Sequence, residues 1–159
     1  MLDEKKLKQA QLHYSTLCKM LDANEWRYTK YEDDFTIKTG AKGEDIPIDF
    51  IVRIDPERMI ASFISWLPFN IPEDKRTEGA VAVAVANNGL CDGSFDYNIA
   101  DGEIMFRLTA CYRGSILGEE LFDYMVICGA KTVDDYNDKF LMLAKGMLSL
   151  EKFIEMENE

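Results

Sequence analysis

The amino-acid sequence predicts an α+β domain in which a largely antiparallel sheet packs against helices. Three observations carry that expectation. Apolar residues recur with a helical period over residues 3–23, with a period of two from Trp26 to Trp66 and from Ser94 to Tyr112, and again with a helical period to the end. Short turn signals join the strand-like runs, which is how antiparallel neighbours connect. A chain of 159 residues with 47% apolar side chains also suffices for a core without staples, so residues 1–159 read as a single domain.

In the first helix Leu7, Ala10, Tyr14, Leu17, Cys18 and Leu21 form one stripe, and Asn24 is a plausible stop. His13 falls between stripe positions and is expected in solvent. Trp26 and Tyr28 alternate with Arg27 and Thr29 as a short, weakly marked strand, and Phe35 to Lys38 is a second run before the Gly40–Gly43 turn. The cleanest strand follows, with Ile46, Ile48, Phe50, Val52 and Ile54 on one side and Asp49, Ile51, Arg53 and Asp55 on the other. After the Asp55-Pro56-Glu57-Arg58 turn, Met59, Ala61, Phe63 and Leu67 share a face, while Ile60, Ile64 and Trp66 occupy the opposite one. A strand apolar on both faces is either covered twice inside the monomer or lies at a contact with another chain.

Residues 79–86 alternate alanine with valine and could be strand or helix. Pro72 with Glu73 and Asp74 marks a helix start, and Asn88-Gly89-Leu90 a helix end with Gly89 left-handed, so helix is favoured. Phe95, Tyr97 and Ile99, then Ile104, Phe106, Leu108 and Ala110 across Asp101-Gly102, read as a hairpin. The closing helices comprise Glu119 to Cys128, ended by Gly129, and a second beginning at a capping box Thr132-Val133-Asp134-Asp135. Its long stripe runs from Val133 through Phe140 and Met147 to Ile154.

With 18 basic and 29 acidic side chains the net charge is −11, which argues against nucleic acid and against an anionic membrane surface. The start, Met1 to Lys6, is followed by no apolar stretch of the kind a signal peptide needs, and no window approaches a membrane span. Cys18, Cys91, Cys111 and Cys128 lack the spacing of a zinc site or a disulfide framework and are expected as small buried side chains in a reducing cytoplasm. No nucleophile elbow, phosphate-cradling glycine loop or H-E-x-x-H motif occurs, and the single histidine leaves no catalytic triad in view. Asp92, Ser94, Asp96 and Glu103 have the spacing of a calcium loop, but Tyr97 stands where that loop needs glycine, so a hairpin with acidic turns is the better reading. No catalytic residue, cofactor or metal is assigned.

Four segments together carry a family resemblance: Asp49 to Asp55; Leu67-Pro68-Phe69 with Ile71-Pro72-Glu73; Asn87 to Leu90; and Gly93 to Asp96 continuing to Asp101 through Arg107. In this order the sequence resembles the YbjN-type family over about residues 24–145. That resemblance implies a type III secretion chaperone-like fold, α-β-β-β-α-β-β-α, and helix for residues 80–86. It supplies no catalytic residues. Its members are described as bacterial regulators, and secretion chaperones of that fold are small acidic cytoplasmic homodimers that hold an extended partner segment. The leading expectation is therefore a non-catalytic protein-binding module, chaperone-like or regulatory and dimeric, with Ile51, Met59, Ala61 and Phe63 as candidate contact residues. Burial of these residues in the core is the plainer alternative. A second reading is a small-molecule or enzymatic pocket between the sheet and the second helix, using Asp96, Arg107 and Arg113; a third is a structural role in a larger assembly. Residues 1–80 hold 12 basic and 15 acidic side chains, residues 81–159 hold 6 and 14, so a basic protein partner would meet the C-terminal half.

Overall fold

The structure, a computed structural model, describes residues 3–159. Helix α1 spans Glu4–Ala23 and starts where the Asp3 carboxylate accepts the Lys5 N–H at 3.1 Å. Glu25, at φ 59°, turns the chain out of the helix, and Trp26 N–H donates back to Leu21 O at 2.9 Å. Strands β1 (Thr29–Tyr31), β2 (Thr36–Ala41), β3 (Ile48–Asp55) and β4 (Ile60–Asn70) follow as a meander. Helix α2 (Arg76–Asn88) leads to the hairpin β5 (Ser94–Asn98) and β6 (Glu103–Cys111), and the chain closes with α3 (Glu119–Ala144) and α4 (Leu150–Asn158). All strand pairs are antiparallel in the order β1-β2-β3-β4-β6-β5, so β4 and β6, far apart in sequence, meet at the centre.

The helices lie on one face of this sheet. Helix α3 crosses β3, β4 and β6, with α1 beside it over β3 and α2 over β5. Phe50, Phe63 and Phe106, from three adjacent strands, form the middle of the core, with Phe50 and Phe63 rings 4.6 Å apart and Phe63 and Phe106 rings 6.2 Å apart. The alternation read in β3, β4 and β6 is the observed one: Ile48, Phe50, Val52, Ile54, Ala61, Phe63, Leu67, Ile104, Phe106 and Leu108 all face the helices and are buried.

Several local expectations are corrected. Gly129 does not end a helix; α3 runs through it, because the missing side chain lets α3 lie directly on the Phe63 ring. Thr132 is mid-helix, its hydroxyl donating to Cys128 O at 2.8 Å, so there is no capping box. Asp134 instead accepts the Glu44 N–H at 3.0 Å and ties down the β2–β3 loop. The interruption falls later, where Gly146 at φ 72° reverses the chain before α4, and Ser149 caps α4 by accepting the Lys152 N–H. Residues 79–86 are helical, but Gly89 is right-handed at φ −88°. Trp26 and Tyr28 precede β1 instead of forming it, and Ile99 sits exposed in the hairpin turn. Cys91 and Cys111 are exposed, and only Cys18 is fully buried.

His13 is the largest correction: it is completely buried. Its Nδ1–H donates to Gln9 O at 2.7 Å, its Nε2 accepts the Leu117 N–H at 3.1 Å, and its ring stacks on Tyr112 at 4.2 Å. With both ring nitrogens occupied by backbone, the side chain pins the segment before α3 onto α1 and has no group free for chemistry.

Candidate functional site

Among the described residues no helix covers the face of the sheet opposite α1, α2 and α3. Alternation places on it Ile51 of β3, Ile60, Ser62, Ile64 and Trp66 of β4, and Met105, Arg107, Thr109 and Cys111 of β6. Register makes neighbours of them: Ile51 opposes Ile64, Ile64 opposes Arg107, and Trp66 opposes Met105. Ile51, Ile64, Trp66 and Met105 therefore form one continuous apolar strip across three strands, and Trp66 is 44% exposed. An indole left in water on a sheet face is unusual, since so large an apolar surface stabilises most when covered.

Two depressions break the strip. One, of about 280 Å³, lies between Ile51 and Trp66 and is bounded by Lys38, Asp49 and Pro68. The other, of about 410 Å³, has Ser62 and Thr109 on its lining together with Arg53, Arg58 and Arg107. Charges on this face are balanced: Lys38, Arg53, Arg58 and Arg107 stand against Asp49, Asp55, Asp96 and Glu103. The net charge of −11 is therefore carried by the rest of the molecule.

The candidate contact residues do not lie together. Ile51 is half-buried on the bare face, whereas Ala61 and Phe63 are 0% exposed on the helix side. Met59 occupies the β3–β4 turn at φ 59° and packs against the core. Period two separates two faces of β4 but does not say which face the helices cover. The residues omitted from the contact set, Ile64 and Trp66, belong to the same doubly apolar strand, so the signal was present and its assignment to a face was not.

Asp96 and Arg107 do meet, in an ion pair of 2.7 Å, but on the bare face and not beneath α2. Arg113 is exposed in the loop after β6. Helix α2 sits tightly on the sheet through Gly79, Ala82, Val83 and Ala86; a Cβ at Gly79 would lie 2.7 Å from the Tyr97 hydroxyl. The cavity beside α2 is instead a groove of about 550 Å³ toward α4, lined by Val81, Ala84, Val85 and Ile154. Residues 92–103 run through β5 and its turn into the first residue of β6, so the calcium-loop spacing falls on a hairpin.

Among the described residues no three His, Cys, Asp or Glu side chains gather as metal ligands. No described helix is long and apolar enough to cross a membrane. The strongly perturbed side chains are tyrosines. Burial pushes Tyr14 and Tyr112 up to about 12, and burial with the Glu157 carboxylate raises Tyr136 further. These phenols serve packing: Tyr112 donates to Asp55 O at 3.1 Å, and Tyr136 to Glu157 at 2.6 Å.

The YbjN family model, described as "Putative bacterial sensory transduction regulator", matches residues 13–142. Among curated proteins none matches the chain significantly. Among solved structures, the crystal structure of YbjN from E. coli, described as "a putative transcription regulator", is similar with a TM-score of 0.57 at 9% identity, covering 84% of this chain and 91% of that one. The HopA1–SchA chaperone–effector complex gives a TM-score of 0.49 at 13% identity, covering 92% of this chain and 98% of that one. The first likeness shows the fold, to which this chain adds the three-residue β1 and the short α4 beyond the expected order.

Proposed function

The chain belongs to the YbjN family, and from that membership we propose that it is a non-catalytic protein-binding module, chaperone-like or regulatory. One observation carries this: the uncovered strip of Ile51, Ile64, Trp66 and Met105 on a sheet whose other face is fully packed. The occupant is an extended partner segment with apolar side chains at alternate positions. Charge balance on the bare face selects a segment of low net charge, and the depression between Ile51 and Trp66 takes one of its side chains. A basic partner region would instead meet the opposite, acidic side, where Glu151, Glu155 and Glu159 are exposed on and beside α4, and added salt would weaken that contact. Four unpaired thiols support a reducing compartment such as the cytoplasm, and one hydrophobic cluster spanning the chain supports a single domain.

The test is capture of a partner from the native host by the wild-type chain, Ile51→Glu, Trp66→Ala and Val81→Glu. Trp66→Ala is expected to weaken the captured complex at least about 30-fold, the roughly 2 kcal/mol of an aromatic anchor. Val81→Glu, on the helix side, is expected to leave it unchanged. Capture lost with Val81→Glu and kept with the other two would refute the assignment. So would a stable dimer in light scattering that Ile51→Glu dissociates, because a second copy would then be the occupant of this face.

A further inference from the structure

The second depression on the bare face is not explained by an apolar strip. Its position follows from register. Arg53, Ser62 and Thr109 stand opposite one another on β3, β4 and β6, and neighbouring strands are about 4.8 Å apart. Short hydroxyl side chains fill the middle of that row, so it sinks; the two oxygens are 3.3 Å apart. Ile60 and Ile64 bracket Ser62 along β4, Arg107 lies two residues before Thr109 on β6, and Arg58 reaches in from the β3–β4 turn. Long side chains around short ones make the concavity, and Ser62 is only 8% exposed although it belongs to the open face.

Half of the chain's six arginines line this one groove, in a protein of net charge −11. Arg107 is engaged by Asp96. Among the described residues neither Arg53 nor Arg58 takes part in an ion pair. The one carboxylate in the lining, Asp55, is committed to the turn, accepting the Glu57 and Arg58 N–H groups at 2.9 and 3.0 Å. With Arg107 neutralised by Asp96, two unpaired guanidinium groups, Arg53 and Arg58, thus face a single lining carboxylate, a local excess of one positive charge.

We propose that this groove is a binding site for a small phosphate monoester. The anionic oxygens of a phosphate match the two guanidinium groups left without an ion pair. Two free guanidinium forks, beside a pair of hydroxyls that bond to each other, offer more donors than one carboxylate can accept, and the three non-bridging oxygens of a phosphate accept more of them than a carboxylate does. Ile60 and Ile64 then hold the apolar part of the ester, and the volume of about 410 Å³ is that of a small-ligand site. The protein would in this way read a phosphorylated small molecule on the same face that meets a partner.

The experiment titrates the full-length protein with phenyl phosphate, inorganic phosphate and benzoate at low ionic strength, followed by amide chemical shifts. Phenyl phosphate is expected to bind most tightly and to shift Arg53, Ser62 and Thr109. The double variant Arg53→Gln, Arg58→Gln should weaken it about 10- to 100-fold, as loss of charged hydrogen bonds predicts, with the melting temperature retained. Lys42→Gln, remote from the groove, should change nothing. Benzoate binding as tightly as the ester would overturn the phosphate assignment, and inorganic phosphate binding as tightly would overturn the ester. Shifts absent from Ser62 and Thr109, or undiminished in the double variant, would overturn the site. Trp66→Ala should spare phosphate binding while losing the partner, so this inference and the docking reading fail separately.

Discussion

Gly129→Ala is expected to destabilise the protein although it removes a glycine from the middle of a helix. Helix propensity alone favours alanine there by about 1 kcal/mol. The new Cβ, however, would lie 2.6 Å from Cδ1 and Cε1 and 2.8 Å from Cζ of Phe63. That is about 1 Å inside ordinary carbon–carbon contact. Phe63 has no room to withdraw: it is 0% exposed and held between the Phe50 and Phe106 rings. Overpacking of this kind costs about 1–3 kcal/mol, and the confinement of the ring puts it toward the upper end. The net loss is then about 1–2 kcal/mol, or roughly 2–8 °C in melting temperature for a chain of this size. Calorimetry measures it. The double variant Gly129→Ala, Phe63→Leu separates the clash from other causes, because removing the ring should recover at least about 0.5 kcal/mol relative to additivity. An alanine variant as stable as wild type, or more stable, would refute the contact.

Two further outcomes follow from the same packing. His13→Phe keeps a ring against Tyr112 but leaves the Leu117 N–H without its acceptor, and should cost about 1–3 kcal/mol in chemical denaturation; a change within error would show that the imidazole does not pin α1 to the segment before α3. In alkali, the folded-state pKa values of Tyr14 and Tyr112 stand near 12 against an ordinary 10. The fold therefore favours their protonated form, so this stability is complete below pH 10 and is lost as pH rises toward 12. Phenolate absorbance should show tyrosines ionising late and together with unfolding; ionisation of all seven near pH 10 in a folded protein would contradict it.

Much of the architecture was legible in the residues. The period-two runs gave both faces of β3, β4 and β6 correctly, since alternate side chains must point to opposite sides of a pleated strand. The proline-marked start at Pro72 gave α2 against the ambiguous Ala/Val alternation. Glycine was read poorly, because its local signal is the same whether it ends a helix or lets one approach a ring: Gly129 does the second, and Gly146 the first. His13 was misplaced because α1 is covered on more than its apolar stripe; the loop before α3 comes back over it, a contact between residues 104 apart.

The candidate site divides in the same way. Periodicity settled that β4 is apolar on both faces, and composition settled that the chain is acidic. Neither could settle which face the helices cover, so Ile51 was named with Ala61 and Phe63 although they lie on opposite sides of the sheet. Nor could they bring Arg53, Arg58 and Arg107 into one groove, which requires β6 to pair with β4 across the intervening α2 and β5. Alternation and charge are local properties that a single segment carries, whereas which strand lies beside which is fixed by burial of the whole core, and only that neighbourhood makes a surface.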